Sequence, residues 1–123
     1  MPRTNPIDRV RKTCLALPEA TEKLSHGEPT WFVRGKVFAS WEDHHHGDPT
    51  VGLWVNAPMG LQEMLVSAEP ARYYRPKYVG HRGWIGINME GDIDWPYAAE
   101  LMTDSYRMVA PKRVLALLDS GVK

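Results

Sequence analysis

Cysteine is almost missing from this chain: Cys14 is the only one in 123 residues. A lone thiol excludes an internal disulfide framework and any zinc site built from several cysteines. Net charge is missing as well, with Lys plus Arg at 15, Asp plus Glu at 15 and a pI near 7.0. A neutral chain is not held to nucleic acid or anionic lipid by gross charge, so such a partner needs a local patch. No apolar run is long enough to span a bilayer. Met1-Pro2-Arg3-Thr4-Asn5-Pro6 lacks the apolar stretch of a secretory signal. A cytoplasmic protein without a membrane partner is expected. Catalytic signatures are absent too: there is no glycine-rich phosphate loop closed by Lys-Ser/Thr, no GxGxxG and no nucleophile elbow. No reaction, catalytic residue, metal ligand or cofactor follows from the sequence.

What is present is ordinary globular composition, 43% hydrophobic and 24% charged. The length suits one domain over residues 1–123, and a monomer is expected. Asn5 or Thr4 caps a first helix in which Ile7, Val10, Cys14 and Leu17 recur at helical spacing, with Arg9, Arg11 and Lys12 toward water. Cys14 is thereby expected to be buried. Pro18 ends that helix. Short strands follow: Lys23–His26, Thr30–Arg34, Val37–Glu42 and Thr50–Asn56, with a tight return at Gly35-Lys36. Their connections are too short for helical crossovers, so they pair antiparallel. Pro58 opens a short helix with Leu61, Met64 and Leu65 on one side. An irregular stretch after Pro70 leads to a strand from Trp84 to Met89. Asp94 caps a helix bearing Tyr97, Ala98, Leu101, Met102 and Tyr106, and Pro111 opens a last one. The result is an α+β domain with an antiparallel sheet and helices on one face.

Period-two alternation separates two faces of that sheet. Val37, Ala39 and Trp41, then Val51, Leu53 and Val55, then Ile85, Ile87 and Met89 form an aliphatic face for the helices. Phe38, Ser40, Gly52, Trp54, Trp84, Gly86 and Asn88 form an uneven outer face of rings beside glycine. Glycine beside a ring signals close approach, either of a ligand or of another part of the chain. The rings are therefore either a satellite cluster under a loop or a stacking platform for a planar ligand.

The stretch from Pro70 to Met89 departs from the neutral average. It carries Arg72, Arg75, Lys77, His81 and Arg82, interleaved with Tyr73, Tyr74, Tyr78 and Trp84, and has no acidic residue. Cations neutralise phosphate and rings stack bases, so this mixture suits a nucleic acid or nucleotide. Four phosphate contacts would give a log-affinity against log-salt slope of roughly −3 to −4. Three adjacent histidines, His44 to His46, read as a solvated loop, because neighbours in sequence do not converge on one metal. His26 reads as a turn residue.

The order of certain segments adds to this. Cys14-Leu15-Ala16-Leu17-Pro18, His26-Gly27-Glu28-Pro29-Thr30-Trp31-Phe32, Gly35-Lys36-Val37-Phe38-Ala39, Tyr78-Val79-Gly80, Gly83-Trp84-Ile85-Gly86-Ile87, Asp94-Trp95 and Ser105-Tyr106 follow one another along the chain. In that order and spacing the chain resembles the MmcQ/YjbR family from about Ile7 to Leu118. The resemblance implies a CyaY-like two-layer fold and DNA binding. The fold is also similar to the frataxin shape, but a first helix exposing Arg9, Arg11 and Lys12 lacks the acidic ridge that iron handling would need.

The expectation that follows is a non-enzymatic DNA-binding module. Arg75, Lys77 and Arg82 contact phosphates, helped by Arg34 and Lys36 from the hairpin, while Tyr78, Trp84 and Trp31 stack or pack on bases or sugars. The alternative is a small-ligand or nucleotide-binding domain, an enzyme included, that uses the aromatic outer face as its pocket. A third reading is a protein-interaction module with exposed tryptophans. Enclosure of Trp84 and Tyr78 around a cavity favours the ligand; an open convex strip favours DNA.

Overall fold

Two tight turns set the register of the first half of the sheet. His26-Gly27 joins β1 (Ala20–Ser25) to β2 (Glu28–Val33), and Arg34-Gly35 joins β2 to β3 (Lys36–Asp43). In both, the two central residues have positive φ: 52° and 83° in the first, 51° and 79° in the second. This is the primed-turn geometry whose twist matches that of the strands it joins, and glycine at the second position makes it accessible. The register follows directly, with Ser25 opposite Glu28 and Val33 opposite Lys36.

The computed structural model describes residues 5–43 and 51–121. The His44–His46 run falls outside these residues. β4 (Val51–Val55) pairs with β3, β6 (Ile85–Asn88) pairs with β4, and a two-residue β5 (Tyr73–Tyr74) closes the far edge. The order is β1-β2-β3-β4-β6-β5, and every neighbouring pair is antiparallel. β5 replaces the irregular stretch expected after Pro70. Two residues are too few to carry a period, so its pairing is set by tertiary contact.

Four helices accompany the sheet: α1 (Pro6–Leu15), α2 (Leu61–Ala68), α3 (Trp95–Val109) and α4 (Lys112–Asp119). α3 lies against β3 and β4, and α1 packs on α3 and β1. Asn5 Oδ1 accepts from the Ile7 N–H at 3.2 Å, and Asp94 Oδ1 accepts from the Tyr97 N–H at 3.1 Å, so both expected caps form. The core joins Val10 and Cys14 of α1 to Leu53, Ile85 and Ile87 of the sheet and Met102 of α3. Cys14 is fully enclosed, with Sγ 3.7 Å from Met102 Sδ, and burial pushes its thiol far above the ordinary range. It is an inert packing residue. Met64, expected on the apolar side of α2, is exposed; Gln62 takes the buried place instead.

One feature breaks the expected alternation. Trp31 is opposite Ala39 but Phe32 is opposite Val37, so Phe38 is an extra residue in β3. A bulge of this kind turns the side chains on either side of it out of strict alternation. Phe38 therefore points into the core, with its ring edge-on to Tyr106 at 5.4 Å, and is not part of the outer face. Val37 moves to the outer face in exchange.

Candidate functional site: an aromatic cleft on the outer face of the sheet

The outer face is built around Trp54. Its strand neighbours are Ser40 on one side and Gly86 on the other, two small residues that leave room for an indole. Tyr74 of β5, opposite Gly86, lays its ring across Gly86 and brings its hydroxyl over Gly52. Trp54 Nε1 donates to that hydroxyl at 3.0 Å. The close approach signalled by the glycines is therefore made by the chain itself on the β4–β6–β5 side. Over the β1–β3 side the face stays open and becomes a cleft.

This cleft has a volume of about 480 Å³. Its floor is Thr30, Phe32, Val37, Ser40 and Trp54, and one wall is Tyr78, Val79, Arg82 and Trp84. The wall belongs to the segment between β5 and β6, which turns twice to stand over the sheet. Tyr78 has φ 65° and Gly83 has φ 89°, on either side of a single 3-10 turn, Gly80–Arg82. Gln62 of α2 holds the segment in place: its Nε2 donates to Gly80 O at 2.8 Å and to Trp84 O at 2.6 Å. The far end of the cleft is polar, formed by Ser25, His26, Glu28 and Glu42. Glu42 is buried and its Oε2 accepts from Ser40 Oγ at 2.6 Å, while Glu28 Oε2 accepts from the Asp43 N–H at 2.7 Å.

Trp84 is only 4% exposed, and its Nε1 has no hydrogen-bond partner among the described residues. Buried donors are nearly always satisfied, so this one is an exception among the described residues. Tyr78 stands at the rim, 68% exposed. Among the described residues no group of three His, Cys, Asp or Glu side chains is arranged to hold a metal ion.

A family model described as YjbR matches residues 15–108, from the end of α1 to the end of α3. The chain belongs to the YjbR family. A crystal structure of the Deinococcus radiodurans protein DR2400, with a DUF419 domain, is similar in fold. Its TM-score is 0.74 at 17% identity, over 98% of this chain and 94% of that one. No curated protein matches the sequence. The matched YjbR segment contains every strand of the sheet and the whole cleft.

The YjbR fold gathers some of the expected site residues and separates others. Trp84, Tyr78 and Arg82 meet at the cleft, and Arg75 joins Arg82 on an adjoining groove. Lys77 is exposed on the same segment. Trp31, expected to stack, is instead fully buried on the helix side, where its Nε1 donates to Glu22 Oε1 at 2.9 Å. Adjacent strand residues face opposite ways, so Phe32 occupies the place on the cleft assigned to Trp31. Arg34 is turned away: its Nε meets Glu19 Oε1 at 2.5 Å, and the guanidinium holds the Glu19 carboxyl below its usual range. Lys36 is exposed on the same hairpin but does not line the cleft. Arg72 leaves the basic stretch altogether, since its guanidinium donates to the carbonyls of Asn88, Glu90 and Asp92. The tryptophans do not form an exposed contact patch either: Trp31, Trp41, Trp54 and Trp84 are buried and Trp95 is half-buried.

Several site residues carry no signal in the sequence. Glu42 was legible only as part of the acidic surroundings of the histidine loop, and Gln62 only as a helix residue. Alternation carried through β1 and β2 would have placed Glu28, Thr30 and Phe32 on one face.

Proposed function

We propose that this YjbR domain is a cytoplasmic binding domain that takes a small planar ligand in the outer-face cleft. One observation carries this reading: the outer face of the sheet holds a cavity of about 480 Å³ lined by the rings of Phe32, Trp54, Tyr78 and Trp84. The volume lies in the range of small-molecule sites, and an apolar floor with a few polar groups at its end is their usual lining. Stacking on an aromatic wall adds roughly 1–3 kcal/mol for each ring engaged.

DNA binding is the second reading, favoured by the shared position of Arg75, His81 and Arg82 along one groove with Lys77 and Tyr78 exposed beside it. With Arg72 engaged by backbone carbonyls, phosphate contacts by Arg75, Lys77 and Arg82 would give a log-affinity against log-salt slope of roughly −2 to −3. Titration of tryptophan fluorescence with mononucleotides, other planar heterocycles, RNA and DNA at two salt concentrations separates the readings. The cleft reading expects a saturable, nearly salt-independent response to small ligands that weakens in Phe32→Ala and Tyr78→Ala. Response to DNA alone, with the steep salt slope and loss in Arg82→Glu, supports the second reading and overturns the first.

A further inference from the structure

Arg82 belongs to two cavities at once. It closes the wall of the aromatic cleft and also lines an adjoining groove of about 510 Å³ together with Arg75 and His81. Neither Arg75 nor Arg82 has an ion pair among the described residues, in contrast to Arg11, Arg34 and Arg107. Arg75 is held in place by its stem, which packs against the backbone of Gly80, where no side chain intervenes. Glu63 is the acidic residue among those lining the groove, so the two guanidiniums leave it net positive.

At the opposite end of the cleft the charge is reversed. Glu42 and Glu28 supply carboxylates, with Ser40 and Ser25 beside them, and the aromatic floor and wall lie between the two ends. The register gives the spacing. Glu42 is opposite Gly52, which is opposite Asn88, and Trp84 lies four positions before Asn88 on the neighbouring strand but one. Strand geometry makes this separation about 13 Å along the strands and ~10 Å across them, a diagonal of roughly 16 Å between Cα atoms. Glu42 and Trp84 thus stand at opposite ends of the floor, and Arg82, two residues before Trp84, lines the same cleft on the wall.

We infer that the ligand of the cleft is a mononucleotide, an inference that rests on the planar-ligand reading and deepens it. The base lies on the aromatic floor with its N–H donor edge toward Glu42, and the phosphate meets Arg82, Arg75 and His81. A planar cation alone leaves the arginine groove unused. A simple anionic ring leaves two carboxylates facing its own charge. A base, a sugar and a phosphate in series match all three parts, and guanidinium groups suit phosphate through paired, charge-assisted hydrogen bonds.

The test is a calorimetric titration of the full chain with GMP, AMP, guanosine, adenosine, inorganic phosphate, other planar heterocycles and a single-stranded oligonucleotide at two salt concentrations, repeated on Arg82→Ala, Glu42→Gln and Lys36→Ala. The nucleotides should bind roughly ten- to a hundredfold tighter than their nucleosides, the range expected for hydrogen bonds to a charged group. That advantage should vanish in Arg82→Ala, so that nucleoside and nucleotide bind the variant alike. Glu42→Gln should weaken nucleoside and nucleotide alike, and Lys36→Ala should change neither. Equal affinity for nucleoside and nucleotide overturns the phosphate assignment and leaves the planar-ligand reading intact. So does binding of other planar heterocycles without any nucleoside or nucleotide. Failure of every planar ligand overturns both together. A single-stranded oligonucleotide that binds far tighter than GMP, with the steep salt slope, replaces the mononucleotide by the polymer.

Discussion

Gly86 lies in a regular strand, so its own backbone does not require glycine. The requirement comes from Tyr74, whose ring occupies the space a methyl group would fill. Forcing a methyl into packed space typically costs about 1–3 kcal/mol. Gly86→Ala should therefore lower the urea midpoint by a corresponding amount, and the cost should largely disappear in a Tyr74→Ala background, where the two changes share one contact. An equal cost in both backgrounds would show that something other than the tyrosine ring demands glycine. Single residues differ in how far sequence reveals them. Cys14 and Asp94 are legible because each depends on a local pattern, helical spacing in one case and a cap position in the other. Trp31 is not, because a one-residue change of register exchanges it with Phe32 and both are apolar. Gly86 is half legible: the demand for close approach shows, but not that Tyr74 makes it.

At the scale of elements, the bulged strand β3 is held by a residue of α3. Ser105 Oγ donates to Phe38 O at 2.6 Å and accepts from the Asn56 N–H at 2.9 Å, so one buried hydroxyl ties the bulge and the end of β4 to the helix. Tyr106, the next residue, packs edge-on against Phe38 and donates to Pro18 O at 2.7 Å. Ser105→Ala leaves a buried carbonyl and a part-buried N–H without this partner, a loss of about 1–3 kcal/mol. Chemical unfolding should show a lower midpoint at unchanged slope. A neutral result would mean that water replaces the hydroxyl. The helices and hairpins were legible because caps, glycine turns and periods of 3.6 and 2 agree with one another. The bulge was not, because Val37, Phe38 and Ala39 are all apolar and alternation alone does not show which of them is the extra residue. The cleft shares that origin: its wall, residues 75–84, has no period at all, and its position depends on Gln62 reaching across from α2.

Across the whole molecule, the zero net charge is an average over groups with different tasks. Arg11 pairs with Asp8 and Glu22, Arg34 with Glu19 and Arg107 with Asp119, while Arg75 and Arg82 line the groove that adjoins the cleft. Among the described residues no helix is long and apolar enough to cross a membrane. The acidic charges also act on the buried tyrosines. Tyr73, 4% exposed and edge-on to Tyr97 at 6.5 Å, has its hydroxyl pushed up to about 12, first by burial and then by the charge of Glu69. Burial likewise raises Tyr97 and Tyr106. In the unfolded chain a tyrosine ionises near pH 10, so between about pH 10 and pH 12 the unfolded state loses its proton while the folded state keeps it. The contribution is complete below pH 10 and is lost as pH rises through the folded value, amounting for Tyr73 to at most about 3 kcal/mol. Urea midpoints should therefore be level up to about pH 9 and fall steeply above about pH 10. Tyr73→Phe keeps the ring and removes the proton, so its midpoint should fall less over the same interval. Tyrosinate absorbance would identify the group directly: one late-titrating tyrosine missing in the variant supports the assignment. An identical alkaline decline in both proteins would shift the effect to Tyr97 and Tyr106.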